Sequence, residues 1–169
     1  MTNTRSPRQS LRDLDVNNLA QSLIVQNQRR HLTKIGQDCG TPVVFLKAAW
    51  ADPVLYDGRG QRTGSDIDIL IAPRVFGAFA AALERDGYRR YRVATHPVTG
   101  HFDRAWTFCP AVAEMTVDVH RRLGLWPWFE LHTDAHLGRA IAYPSCHGPV
   151  LSLAPEDQLV FAEARRRRT

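Results

Sequence analysis

The sequence has no long apolar run and little cysteine. No stretch reaches the ~18 consecutive apolar residues that a membrane-spanning helix needs, and the polar N-terminus has no apolar core of a secretory signal. These absences predict a cytoplasmic protein with no membrane partner. Cys39, Cys109 and Cys146 form neither a CxxC pair nor a zinc-binding pattern, so we expect reduced structural thiols.

Nucleic-acid-binding motifs are also absent, although the chain is basic. The net charge is +5, but seven arginines lie near the two ends, three between Arg5 and Arg12 and four in the run Arg165 to Arg168. Without them, 15 basic residues remain against 17 acidic ones. Basic ends of this kind are either solvated tails or contacts for nucleic acid, and the sequence leaves both readings open.

The length of 169 residues suits one domain with a substantial core. We predict a disordered lead over 1–9, a single domain over 10–164 and a basic tail over 165–169. Apolar periodicity predicts a first helix from Ser10, with a stripe running through Leu19 and Leu23 to Ile35, that ends at Gly40. The rest reads as alternating helices and strands. The further predicted segments are strands at 43–46, 65–71, 88–94, 104–108, 113–120, 140–143 and 149–153, and helices at 47–56, 75–86 and from 154.

Two carboxylates mark the strand predicted at 65–71. Asp66 and Asp68 are two positions apart, so in a strand they project from the same face, while Ile67 and Ile69 face the opposite way into a core. Like charges at that distance repel unless a cation lies between them, and Mg²⁺ is typically held by one or two carboxylates together with substrate phosphates. The alternative is a solvated strand end with no metal.

A third carboxylate, Asp118, lies on a later strand that alternates in the same manner. Thr116, Asp118 and His120 share one face and Met115, Val117 and Val119 the other. If the two strands are neighbours, three carboxylates form a site for one or two Mg²⁺ ions, an arrangement suited to phosphoryl displacement. His120 either assists the chemistry or is a structural histidine.

The chain resembles the uncharacterised bacterial nucleotidyltransferase family of the polymerase-beta-type superfamily over roughly residues 40 to 160. It is more loosely similar to lincosamide and aminoglycoside nucleotidyltransferases. The matching motifs are Leu46-Lys47-x-x-Trp50, Leu55-Tyr56, Arg62-x-Gly64-x-Asp66-Ile67-Asp68-Ile69-Leu70-Ile71, Gly87-Tyr88, Val117-Asp118-Val119-His120-Arg121-Arg122-Leu123 and Leu153-x-Pro155-Glu156-Asp157-x-Leu159.

The resemblance implies an α+β fold of the nucleotidyltransferase type, a mixed β-sheet flanked by helices. It also implies a metal-dependent nucleotidyltransferase that moves a nucleoside monophosphate from a nucleoside triphosphate to a hydroxyl of a small molecule, a protein or an RNA. It implies Mg²⁺ (or Mn²⁺) on Asp66, Asp68 and Asp118, which are also the catalytic residues. Lys47, Ser65 and Arg62 are the candidate nucleotide contacts; for Arg62, as for Arg59, a solvated loop charge is the alternative. Two alternatives to this enzyme are a degenerate binding module of the same fold and a toxin-like transferase directed at RNA.

Two departures from the family pattern bear on these expectations. The superfamily's Gly-Gly or Gly-Ser pair after the first strand is replaced by Lys47-Ala48-Ala49, and alanine opposes positive φ and close backbone approach. Gly64-Ser65 is not that pair, because it directly precedes the Asp-x-Asp strand. The chain is also short for the family, which indicates a minimal form, a truncated chain or a missing part supplied by a partner. Trp126, Trp128 and Phe129 are either core residues or the interface of a homodimer.

Overall fold

The described residues form a mixed sheet with helices on both faces, as predicted, and this sheet has seven strands. The computed structural model describes residues 7–60, 64–91, 105–111, 115–123, 132–145 and 147–166, with the side chains of 16–162 within those ranges. Its helices are α1 (Pro7–Asp38), α2 (Ala48–Leu55), α3 (Phe76–Arg85), α4 (Thr133–Gly138) and α5 (Pro155–Arg166). Its strands are β1 (Val44–Phe45), β2 (Asp66–Leu70), β3 (Arg89–Tyr91), β4 (Ala105–Cys109), β5 (Thr116–His120), β6 (Ile141–Tyr143) and β7 (Val150–Ser152).

The strands are ordered β3-β4-β5-β2-β1-β7-β6 across the sheet. The pairs β2–β5 and β1–β7 are parallel, and the other neighbours are antiparallel. The strands that carry the three candidate carboxylates are therefore central and adjacent. β2 and β5 are neighbours in the sheet although they are far apart in the chain. The antiparallel strands β3 and β4 lie between them in sequence, and β5 pairs with both β4 and β2.

Two apolar clusters fix the helices to the sheet. On one face, Ile67 and Ile69 of β2 are fully buried with Leu32 of α1 and Phe79 of α3. On the other face, Leu70 packs with a cluster to which α4 and α5 contribute Leu137 and Phe161. Because successive strand residues alternate between faces, Asp66 and Asp68 lie on the same face as Leu70.

Helix α1 begins at Pro7, three residues before the predicted start at Ser10. It ends as predicted: Gly40 has φ of 66°, Gly40 N–H donates to Gln37 O, and Thr41 N–H donates to Gly36 O. These two bonds are the Schellman pattern, which requires the left-handed conformation that glycine adopts without a steric penalty.

The predicted apolar stripe of α1 is wrong at Leu19 and Leu23. Leu19 and Leu23 are about half exposed, at 52% and 49%. The helix instead buries Leu32 and Ile35, together with the polar side chains Gln28 and Arg29. The apolar period alone gave the wrong face, because hydrogen bonds allow polar side chains to be buried on this helix.

None of the described helices is long and apolar enough to span a bilayer. Cys39 and Cys109 are free thiols, as expected, and Cys146 lies outside the described residues. The aromatic residues Trp126, Trp128 and Phe129 also lie outside them, so the homodimer stays a prediction. The division into lead, domain and tail stays a prediction as well.

Candidate active site

The three carboxylates predicted from the sequence lie on two paired strands. Asp68 of β2 is directly opposite Asp118 of β5 in the parallel register, and Asp66 is opposite Thr116. The condition stated from the sequence, that the strand of Asp118 lies beside the Asp-x-Asp strand, is met. Directly opposite residues project from the same face of a sheet, so all three carboxylates belong to one surface.

Asp68 is the buried centre of the site, with 1% of its surface exposed. Its Oδ1 accepts from His120, whose Nε2 is 2.9 Å away, and also forms an ion pair with the ammonium group of Lys47. Burial alone would raise the pKa of Asp68, but the hydrogen bonds from His120 and Lys47 outweigh it, so the pKa lies below its usual range. Asp68 is therefore held as a carboxylate by two positive or proton-donating partners.

Asp66 has the opposite character. Burial, followed by the negative charge of Asp68, raises the pKa of Asp66 above its usual range, and Asp118 adds to the effect. Lys47 and the hydroxyl of exposed Ser65, 3.5 Å from Oδ1 of Asp66, oppose the shift without cancelling it. This carboxylate lacks enough neighbouring positive charge, and a cation bound beside it would supply that charge.

Asp118 has a partner that the sequence analysis missed. The hydroxyl of Thr107 on β4 donates to Oδ1 of Asp118 at 2.6 Å, because Thr107 is directly opposite Asp118 in the antiparallel β4–β5 pair. This bond orients one oxygen and leaves Oδ2 for another ligand. The only sign of Thr107 in the sequence was its place in the predicted strand 104–108. The alternation of that strand does not specify that it pairs with the strand of Asp118.

A group of donor atoms suited to a metal ion lies within this surface. One ligand atom each from Asp68, Asp118 and His120 come within 4.8 Å of one another. Asp66, which we predicted as a ligand, is not in that group, although its charge interacts with both aspartates. His120 joins the donor set that the sequence assigned to carboxylates only. Oxygen ligands suit Mg²⁺ and Mn²⁺, so two carboxylates fit such an ion.

The segment that replaces the superfamily's glycine pair has an unusual backbone. Lys47 has φ of 51° and ψ of −128°, a conformation that favours glycine, and α2 begins immediately after it. Ala48 and Ala49 are helical residues of α2, and Ala49 is buried in the core. Neither alanine has a positive φ; the residue of this segment that does is Lys47. Such a conformation costs about 1–3 kcal/mol, and strain of this kind occurs often at functional sites.

The remaining candidate contacts are less well placed. Arg62 lies outside the described residues. Arg59 is exposed and lies 3.6 Å from the carboxylate of Asp57. Gly64 precedes β2 and packs close to Ala48, since a Cβ placed on Gly64 would lie 3.3 Å from that of Ala48. The Gly64-Ser65 pair is thus in contact with the start of α2, and we keep only Lys47 and Ser65 as described candidates.

A cavity of about 230 Å³ opens beside Lys47. Its walls are mainly apolar and come from α2, the end of β7 and α5, with Trp50, Leu153 and Phe161 among them. Lys47 lines this cavity and also bonds to Asp68, so this lysine connects the cavity to that carboxylate. The site thus combines a charged surface with an apolar recess.

Comparison with known proteins agrees with this geometry. Residues 4–164 match the model of a family described as uncharacterised nucleotidyltransferase. The chain belongs to this nucleotidyltransferase family. The predicted resemblance and enzyme class are therefore confirmed. No curated protein matches the sequence.

Two solved structures share the nucleotidyltransferase fold. The lincomycin-bound lincosamide antibiotic adenylyltransferase LnuA aligns with a TM-score of 0.54 at 15% identity, over 78% of this chain and 81% of that one. The antibiotic-resistance factor ANT(2'')-Ia aligns with a TM-score of 0.55 at 16% identity, over 81% of this chain and 68% of that one. At these identities the likeness establishes the fold, and the fold prediction is confirmed.

Proposed function

We propose that this protein transfers a nucleoside monophosphate from a nucleoside triphosphate to a hydroxyl group of an acceptor. The observation that carries the proposal is the register of β2 and β5, which places Asp68 opposite Asp118 with Asp66 on the same face. Membership of the nucleotidyltransferase family supports the reaction type. The two structural neighbours, one of them an adenylyltransferase, support the fold that presents these strands.

Asp66, Asp68 and Asp118 are the proposed ligands of a divalent cation, Mg²⁺ or Mn²⁺, and His120 borders the same position. When bound, such an ion neutralises negative charge on the triphosphate oxygens. The raised pKa of Asp66 supports this assignment, because that carboxylate lies among like charges. Lys47 is the proposed phosphate contact, since its ammonium already lies at the carboxylates, and Ser65 lies beside Asp66.

Asp118 is the proposed base for the acceptor. The acceptor oxygen forms a bond to the α-phosphorus, the bond from that phosphorus to the bridging oxygen breaks, and pyrophosphate leaves. The hydroxyl proton passes to the carboxylate of Asp118, which Thr107 orients through Oδ1. The apolar cavity beside Lys47 is the proposed seat for a ring of one of the two substrates.

The test is transfer of label from each α-labelled nucleoside triphosphate, with Mg²⁺, Mn²⁺ or a chelator. The acceptors are RNA, candidate proteins, the protein itself and small hydroxyl compounds. The small compounds include lincomycin, the ligand of LnuA. We expect Asp68→Asn and Asp118→Asn to reduce transfer by about 10³-fold or more, the scale of losing a charged group that acts in the transition state. Asp38→Asn, the same change at the exposed end of α1, should leave transfer intact.

Calorimetry on the same proteins decides the outcome when no acceptor is found. Binding of Mg²⁺ and triphosphate that is weakened in Asp68→Asn but not in Asp38→Asn supports the proposal. If the wild-type protein binds neither the cation nor any triphosphate, the transferase proposal is wrong.

A further inference from the structure

A second cavity lies on the opposite face of the sheet from the carboxylates. It has a volume of about 260 Å³ and lies between the C-terminal part of α1 and the loop that leads into β7. Phe45 and Val150, which belong to the core on the α1 side, form its floor. The nucleotidyltransferase site is on the other side of this sheet, so the two sites are separate.

The walls of this cavity are basic and carry no carboxylate. Arg29, Arg30 and Lys34 come from α1 and His147 from the loop, with Thr33 and Gln37 between them. The helical positions 30, 33, 34 and 37 recur every three or four residues, so these side chains form one face of α1. The cavity therefore concentrates positive charge, although the chain without its terminal arginines is slightly acidic.

One of the cations is held in place. Arg29 is 6% exposed, and its Nη1 donates to the backbone oxygen of Ala49 in α2 at 3.1 Å. On the other wall, a tight turn fixes the loop, because Ser145 Oγ donates to Gly148 O at 2.5 Å and Gly148 N–H donates to Ser145 O. Both walls are thus built before any ligand arrives, which reduces the entropic cost of binding.

The two outer cations are arranged at a cost to stability. Arg30 and Lys34 are four residues apart on α1, and like charges at that spacing repel. Both side chains are exposed, and neither makes an ion pair or hydrogen bond with any part of the chain that the structure describes. Neither side chain stabilises α1 through the helix dipole, because the last turn of α1, where a positive charge would be favourable, holds no basic residue. An anion between them would relieve the repulsion.

We propose that this basic cavity binds the phosphate group of a small ligand, separately from the reacting nucleotide. Guanidinium and ammonium groups around a concave site are the usual partners of phosphate. The size of the cavity and the acidic balance of the rest of the chain favour a small phosphate monoester, phosphate or pyrophosphate over a long polyanion. The proposal does not depend on the transferase activity.

The experiment locates binding by NMR. Inorganic phosphate and pyrophosphate are titrated into ¹⁵N-labelled full-length protein, and the backbone amide shifts of Arg30, Lys34 and Gly148 are followed. We expect saturable shifts at these amides. Arg30→Gln/Lys34→Gln should weaken that binding at least tenfold, whereas Arg85→Gln/Arg89→Gln, which removes the same charge from exposed residues of α3 and β3, should not change it.

Several outcomes would overturn the proposal. Shifts confined to the amides of Lys47 and Asp68 would place phosphate at the carboxylate site only. Shifts that rise linearly without saturation, or that chloride reproduces, would indicate nonspecific screening. If a short RNA bound through Arg30 and Lys34 while phosphate and pyrophosphate produced no shift, the cavity would be part of a nucleic-acid surface instead. The mapping on the wild-type protein decides these cases even if a variant is poorly folded.

Discussion

Asp66 and Asp68 are the same residue type two positions apart, yet their surroundings shift their acidities in opposite directions. Asp68 is almost fully buried, but Lys47 and His120 both bond to its Oδ1 and lower its pKa. Asp66 is more exposed and has a raised pKa from burial and from the negative charge of Asp68. Carboxylates whose pKa values are shifted apart by their surroundings are found often at functional sites.

The raised pKa of Asp66 predicts that the ionised side chain destabilises the protein. The folded state favours the protonated form of Asp66. Protonated Asp66 therefore stabilises the protein at low pH, and this stabilisation is lost as the pH rises through the folded-state pKa. We expect Asp66→Asn to raise the melting temperature at pH 7 by about 1–3 °C, while abolishing transfer.

Thermal unfolding at pH 7 and near pH 3 tests this prediction. The gain should vanish near pH 3, where Asp66 is protonated in the wild type. Asp38→Asn at the exposed end of α1 is the matched control and should change neither melting temperature. A lower melting temperature of Asp66→Asn at pH 7 would show that the repulsion does not dominate.

At the scale of secondary-structure elements, α4 and α5 are joined by a buried carboxylate. Asp157 in the first turn of α5 is 5% exposed and accepts from Arg139 at 2.8 and 3.0 Å through Nη2. Nδ1 of His136 lies 2.9 Å from the same carboxylate. The sequence places Glu156 and Asp157 at the start of this helix, where acidic side chains interact favourably with the helix dipole, and that rule is local. The long-range partner explains why Asp157 is buried while its neighbour Glu156 is exposed.

Asp157 should make the stability depend on pH in the acid range. Burial alone would raise its pKa, but the bonds from Arg139 and His136 outweigh burial and lower it. Its contribution is therefore present above the unfolded-state pKa of about 3.9 and lost as the pH falls through the lower folded-state value. At pH 7, Asp157→Asn should cost about 1–3 kcal/mol of unfolding free energy.

Urea unfolding between pH 2.5 and pH 7 checks this expectation. The difference between wild type and Asp157→Asn should shrink steadily below pH 4. Asp134→Asn, an exposed acid of α4, serves as the control and should produce no such pH-dependent difference. A constant difference across the range would contradict the proposed linkage.

At the scale of the whole molecule, α1 is attached to the sheet by a side chain that acts as a strand partner. The amide of Gln28, 1% exposed, donates to Met115 O at 2.6 Å and accepts from Met115 N–H at 3.1 Å. The same amide lies 3.4 Å from the hydroxyl of Tyr88. Gln28 thus satisfies the backbone just before β5, the strand that carries Asp118, and connects residues 87 positions apart.

Loss of this amide should destabilise the fold as a whole. Gln28→Ala would leave both backbone groups of Met115 without their partner, and we expect a cost of about 2–4 kcal/mol in the unfolding free energy. Gln37→Ala, the same change at an exposed position of α1, should cost less than about 0.5 kcal/mol. Denaturant unfolding of both variants tests the prediction, and equal small losses would contradict it.

The sequence by itself predicted most of the helices and strands and the residues that share a face on the two central strands. Alternation placed Asp66 with Asp68, and Asp118 with His120, and glycine at position 40 ended α1, because strand periodicity and backbone sterics are local properties. The family resemblance added the expectation that Asp118 joins Asp66 and Asp68, and therefore that their two strands lie side by side.

Only the tertiary structure decided which residues contact each other across the fold. It selected β4 as the neighbour that brings Thr107 to Asp118, assigned the positive φ to Lys47 rather than to the alanines, and buried Gln28 and Arg29 of α1 instead of Leu19 and Leu23. These outcomes depend on strand order and on hydrogen bonds between distant residues, and apolar periodicity carries no information about either.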